Sequence, residues 1–176
     1  MKPFAYPGTQ FIGRFQNGKV VGHFWLGLIN NGYIHGFANE DGLATGNEIA
    51  FIYPDGETAL RGHFDNKYMK SAKHVDVLSY ACDDHGMFVA SEFTKPLSDY
   101  EFHYDPPTNA SFGGGSLEVG DPFELKNAVI KQSSVPNSGK GIFAIRDLPE
   151  NVPACYFSLY LYNLNGQYQT HTGTKT

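Results

Sequence analysis

The first part of the chain repeats a pattern of apolar and aromatic positions closed by tight-turn residues. One copy reads Gly13-Arg14-Phe15-Gln16-Asn17-Gly18-Lys19-Val20-Val21-Gly22. A second, slightly stretched, runs from Gly36-Phe37 through Asn39-Glu40-Asp41-Gly42 to Gly46. A third, more worn, reads Gly62-His63-Phe64-Asp65-Asn66-Lys67. Their leading glycines stand 23 and 26 residues apart. Between them lie the apolar runs Phe24-Trp25-Leu26 and Ile49-Ala50-Phe51-Ile52-Tyr53, the second ending in the turn signal Pro54-Asp55-Gly56. Asn17-Gly18 predicts a two-residue hairpin turn, because both central residues of that turn need φ > 0. Asp41-Gly42 is expected to do the same job in the second copy. Each unit is then a strand, a turn and a strand. One hairpin is marginal in water, so the copies are expected to join into one extended antiparallel sheet.

Beyond the repeats, Val75-Asp76-Val77-Leu78-Ser79-Tyr80 and Met87-Phe88-Val89-Ala90 predict two more strands around a turn at Asp83-Asp84-His85-Gly86. Residues 105–122 are rich in Pro, Gly and Ser and read as an irregular connection. Short strands are then expected at Ala128-Val129-Ile130-Lys131 and Ile142-Phe143-Ala144-Ile145, with a last aromatic run from Cys155 to Tyr162. No long segment carries a helical period. The fold class is mainly β.

Composition narrows the function. Aromatic residues make up 15% of the 176, and 20 glycines and 10 prolines accompany them, which suits short strands and many turns. A net charge of −5 gives no basic face for direct nucleic-acid binding. No apolar run approaches the length of a membrane span. Cys82 and Cys155 are far apart and lack metal-ligand spacing, and no pair among the seven histidines has it either, so no metal site is expected. Several histidines follow repeat glycines and are expected on sheet faces. Trp25, in a repeat strand, is expected to pack rather than to bind.

The candidate chemistry lies at Ser138-Gly139-Lys140-Gly141. A phosphate loop is excluded, because it needs a glycine where Ser134 stands and Ser or Thr where Gly141 stands. A dinucleotide fingerprint lacks its third glycine and its helix. Two glycines one residue apart suit a ligand held by main-chain groups between two strands, and equally a bare hairpin turn.

Two resemblances extend the reading. The first copy matches at every fixed position the MORN repeat, Gly-x-Phe-x-Asn-Gly-Lys-x-x-Gly. The passage from Lys126 to Ala144, with Ser138-Gly139-Lys140-Gly141-Ile142-Phe143-Ala144 at its end, resembles the opening of a SET domain. Together they resemble the MORN-repeat SET-domain histone-lysine N-methyltransferases. Residues 46–55, Thr58-Ala59-Leu60, Phe102-His103-Tyr104-Asp105 and Asp121-Pro122-Phe123-Glu124 are similar to that family's segments before the SET domain. The resemblance implies MORN repeats over 11–71, further strands and an irregular connection over 72–125, and the N-terminal strands of a SET domain over 126–176.

It also implies methyl transfer from S-adenosyl-L-methionine to lysines of the histone H3 tail and other proteins, in the nucleus and on the chromosome, with the cytoplasm as a second location. Ser138, Gly139, Lys140 and Gly141 would hold the cofactor mainly by backbone groups. Lys140 departs from the acidic residue of close relatives. Tyr156 is the nearest match to the family's lysine-pocket tyrosine. A one-residue slip would make it Phe157, and packing alone would explain Tyr156 as well. The family's later Asn-His-Ser…Pro-Asn and Glu-Leu…Tyr motifs are absent from this sequence, so the chain as written is expected not to catalyse methylation. The alternative is a non-enzymatic MORN module that binds a protein.

Overall fold

A computed structural model describes residues 10–28, 32–65, 68–103, 121–148, 150, 160–162 and 168–170. The chain forms two compact units, Met1–Tyr104 and Asp105–Thr176.

The first unit is an antiparallel meander of seven strands in sequence order: β1 (Gln10–Gln16), β2 (Lys19–Gly27), β3 (Tyr33–Phe37), β4 (Gly46–Ile52), β5 (Thr58–Asp65), β6 (Tyr68–Cys82) and β7 (Phe88–Phe93). Asn17 and Gly18 take φ of 51° and 78°, the left-handed pair that the β1–β2 hairpin requires. The Asp41-Gly42 expectation is corrected: only Gly42 has positive φ there, at 76°. Its amide closes a four-residue turn onto the Asn39 carbonyl at 2.9 Å. The Asn39 side chain accepts the amides of Asp41 and Leu43, at 3.0 and 2.9 Å. An Asn side chain can stand in for a turn of backbone in this way, so the extra residues of the stretched copy form a capped loop. The expected turn at Asp83–Gly86 has the same design, with the Asp83 carboxylate accepting the amides of His85 and Met87, each at 2.9 Å. Those two bonds, Met87's foremost, hold the Asp83 carboxyl below its usual pKa. The turn of the third repeat copy, at residues 66 and 67, lies outside the described residues.

Bulges curve the sheet. The β1–β2 register slips between Gly13 and Arg14, opposite Gly22, whose φ is 76°. β6 is shared: its residues up to Asp76 pair with β5, and those from Val77 onward pair with β7. β7 thus returns over one face of the sheet. There Ala50, Ile52, Ala59, Val75 and Ala90 form a buried cluster, with Trp25, Val77, Tyr80 and Phe93 packed against it. By the two-residue period of strands, Phe24, Leu26, Ile34, Phe51, Leu60 and Phe64 lie on the other face, and all are buried. Burying each such side chain contributes about 1.5–3 kcal/mol.

The first described element of the second unit is a short helix, α1 (Pro122–Asn127). The reading of 105–122 as irregular therefore fails at its last residue, Pro122. Asp121 caps the helix by accepting the amides of Phe123 and Glu124, at 3.0 and 3.2 Å, and Pro122 supplies a fixed φ at its first turn. Six residues are too few for a helical period to show in sequence. β8 (Ala128–Gln132) follows at once and pairs antiparallel with β9 (Lys140–Ala144). A further antiparallel pair joins β10 (Tyr160–Tyr162) and β11 (Tyr168–Thr170).

Candidate functional site

The glycine loop sits between two paired strands, where the short strand candidates on either side of it placed it. Ser133 donates its amide to the Gly139 carbonyl at 2.9 Å, which closes the loop. The Ser138 hydroxyl donates to the Val135 carbonyl at 2.7 Å. Asn137 and Gly139 have φ of 63° and 72°. A Cβ built on Gly139 would meet nothing within 4 Å. The glycine therefore serves the backbone conformation, and among the described residues nothing crowds the space beside it. Lys140 stands opposite Gln132, and Gly141 opposite Lys131. Ser138, Gly139 and Lys140 are exposed and Gly141 is half-buried. Tyr156 lies outside the described residues. An exposed turn of this kind fits a ligand held by backbone groups.

The seven-stranded sheet carries two cavities of its own, both under β7. The first, of about 520 Å³, is lined by His23, His35, Glu48, Arg61, Cys82, Asp83 and Phe93 among others. His23 and His35 stack with their rings 5.6 Å apart and nearly parallel, at 2°. The Arg61 guanidinium meets Glu48 at 3.4 Å and lies 4.7 Å from the centre of the Phe93 ring. His23 Nδ1, His35 Nε2 and Arg61 Nε are buried without a hydrogen-bond partner among the described residues. Burial first, then the nearby His23 and Arg61, push the pKa of His35 down to about 4. His35 is thus held neutral beside a fixed guanidinium.

The second cavity, of about 410 Å³, is almost wholly apolar, and its walls include Ile12, Trp25, Tyr33, Tyr53, Tyr80 and Phe88. Trp25 packs against His35, with 4.3 Å between ring centres and the rings tilted by 38°. Tyr80 lies nearly parallel to Trp25 at 6.4 Å, while Tyr33 stands edge-on to it at 6.0 Å. The polar ends of two walls are tied down. Trp25 Nε1 donates to the Phe88 carbonyl at 2.7 Å, and the Tyr80 hydroxyl donates to the Gly56 carbonyl at 2.5 Å. Burial first, then the carboxylates of Asp55 and Glu57, raise the Tyr80 pKa above its usual value. Among the described residues no group of three or more metal-binding side chains occurs, and no helix is long and apolar enough to cross a membrane.

Known proteins can now be set beside this geometry. Residues 15–88 match the family described as histone H3 K4-specific methyltransferase SET7 N-terminal. That match covers most of the seven-stranded sheet. A histone-lysine N-methyltransferase SETD7 from Halocynthia roretzi is 27% identical over 149 residues, which is 84% of this chain and 38% of that protein. Together these matches support a SETD7-like MORN-repeat histone methyltransferase family for the chain. The walls Trp25, Tyr33, Tyr80 and Phe88 and the cluster His23, His35 and Arg61 all fall inside the SET7 N-terminal match. The Ser138–Gly141 loop lies beyond it.

Neither cavity was legible in the sequence. Trp25 packs, as expected, but it also walls an apolar cavity. His23 and His35 do lie on a sheet face, as the repeat glycines suggested. Their meeting with Arg61 depends on the registers Trp25↔His35 and Ala50↔Arg61, which no local pattern states.

Proposed function

We propose that this chain serves S-adenosyl-L-methionine-dependent methylation of protein lysines, with the histone H3 tail as the foremost substrate, in the nucleus and on the chromosome and with a cytoplasmic share. MORN repeats over 11–71 and the strands and connection over 72–125 form the platform, and 126–176 is the N-terminal part of a SET domain. One observation carries the reading: a sheet that matches the SET7 N-terminal family and, in the same chain, the β8–β9 hairpin with its exposed glycine turn.

Ser138, Gly139, Lys140 and Gly141 hold the cofactor through main-chain groups in this proposal. S-adenosyl-L-methionine, when bound, supplies a methyl group already activated on sulfur, so no metal is needed. The protein's share is alignment of the amine with that methyl. A free lysine has a pKa of about 10.4, so its neutral form must be favoured by an apolar channel. Tyr156 is the proposed wall of that channel.

The test supplies isotope-labelled S-adenosyl-L-methionine and histone H3 to the protein made from its native transcript. Label on H3 lysine that falls with Gly139→Val supports the reading. Absence of both labelling and cofactor binding overturns it.

A further inference from the structure

The apolar cavity on the seven-stranded sheet has no part in the methyl-transfer reading. Its walls are aromatic: Tyr80 lies nearly parallel both to Trp25 and to Phe88, the latter at 5.1 Å, and Tyr33 stands edge-on to Trp25, so the space they border is lined by ring carbons that can meet a cation. Because Trp25 Nε1 and the Tyr80 hydroxyl are both committed to backbone carbonyls, neither aims an N–H or O–H dipole at a bound cation. The charge of the rim agrees. Gly56 lines the cavity, and its neighbours Asp55 and Glu57 are carboxylates close enough to perturb Tyr80. The Asp55 carboxylate is fixed in place by the Thr58 hydroxyl at 2.7 Å and by the amides of Glu57 and Thr58.

We propose that the cavity walled by Trp25, Tyr33, Tyr80 and Phe88 binds a methylated lysine side chain of a basic polypeptide. Methylation suits the walls, since a methylated ammonium needs fewer hydrogen-bond acceptors than a free one and gains more from ring faces. A lysine suits the rim, where Ile12, Tyr33 and Phe88 are exposed and can cover its alkyl stem. The same quaternary ammonium on a choline headgroup fits less well. Its phosphate would sit two carbons away, facing Asp55 and Glu57 on a chain of net charge −5. The proposal does not depend on catalysis by this chain.

Trp25 is the only tryptophan, so its emission reports the site directly. The full chain is titrated with three versions of one basic peptide. Its central residue is trimethyllysine, lysine, or the neutral tert-butyl isostere of trimethyllysine. Phosphocholine is titrated separately. The expected result is a saturable change in Trp25 emission with the trimethyllysine peptide, about tenfold tighter than with either other peptide. Glu57→Gln, at an exposed position, should weaken it several-fold with the unfolding midpoint unchanged. Three results overturn the proposal: no saturable change, equal affinity for the neutral isostere, or tighter binding of phosphocholine than of the peptide.

Discussion

The indole of Trp25, on β2, donates a 2.7 Å hydrogen bond to the main-chain carbonyl of Phe88, on β7, 63 residues further along the chain. It spans the curl of the sheet, since neither strand is a ladder neighbour of the other. Trp25→Phe keeps an aromatic ring but loses this bond and part of the ring contact with His35. The expected cost is about 1–3 kcal/mol. Urea unfolding followed by far-ultraviolet circular dichroism checks it, because the substitution removes the only tryptophan. Amide exchange should rise more in β7 than in β5.

The repeat glycines are not equivalent, although the sequence pattern treats them alike. A Cβ on Gly62 would stand 2.2 Å from the Ser71 carbonyl oxygen and 2.6 Å from the Ala72 Cα. Both are backbone atoms of the adjacent strand and cannot swing away. On Gly22 a Cβ meets nothing, and only the φ of 76° opposes it. Gly62→Ala should therefore cost about 3 kcal/mol or more, as overpacking against backbone does. Gly22→Ala should cost about 1–2 kcal/mol for a side chain in the left-handed region. Urea midpoints read from Trp25 emission rank the two, and equal costs would refute the distinction.

Local chemistry was readable from the sequence where a few adjacent residues decide the outcome. Asn17-Gly18 requires its turn, and short apolar runs on either side of Asp83–Gly86 and of the glycine loop mark the strands there. Asp41-Gly42 misled because its two residues resemble a tight turn, while the Asn39 side chain two residues earlier organises a longer one. The cavities were out of reach for a different reason. They arise where β6 passes from β5 to β7, and that exchange of partners depends on tertiary packing. The loop at Ser138–Gly141 was found by motif, yet its exposure came only from coordinates.

His35 makes stability depend on pH. Its pKa is about 4 when folded, against an ordinary value of 6.5, so the unfolded chain binds the proton more readily. Stability from keeping it neutral is fully present above pH 6.5 and is lost as pH falls toward 4. At about 1.4 kcal/mol per pH unit, the loss between pH 7 and 4 is about 3 kcal/mol. The groups that face it are His23, Arg61 and the indole of Trp25, with Glu48 reaching the same cavity. Other groups titrate in this window too, so the comparison is with His35→Phe. The wild type should lose about 3 kcal/mol more than the variant over that range. Parallel profiles would mean that His35 is not held neutral.

Asn127 ties the second unit together from a fully buried position, 1% exposed. Its side-chain oxygen accepts from Arg146 Nε at 2.7 Å, and its carbonyl accepts the Ile145 amide at 3.0 Å. These bonds join the start of β8 to the residues just after β9, and so close the base of the hairpin that carries Ser138–Gly141. Arg146→Ala removes one partner and leaves a buried oxygen unpaired, at about 1–3 kcal/mol. Asn127→Ala removes the other and adds a small void. The double variant should cost less than the sum, with a coupling of about 1–2 kcal/mol. A chain of two compact units need not melt in one step, so the readout is amide exchange in β8 and β9. Additive losses of protection there would show that the two side chains act independently and that something else closes the hairpin.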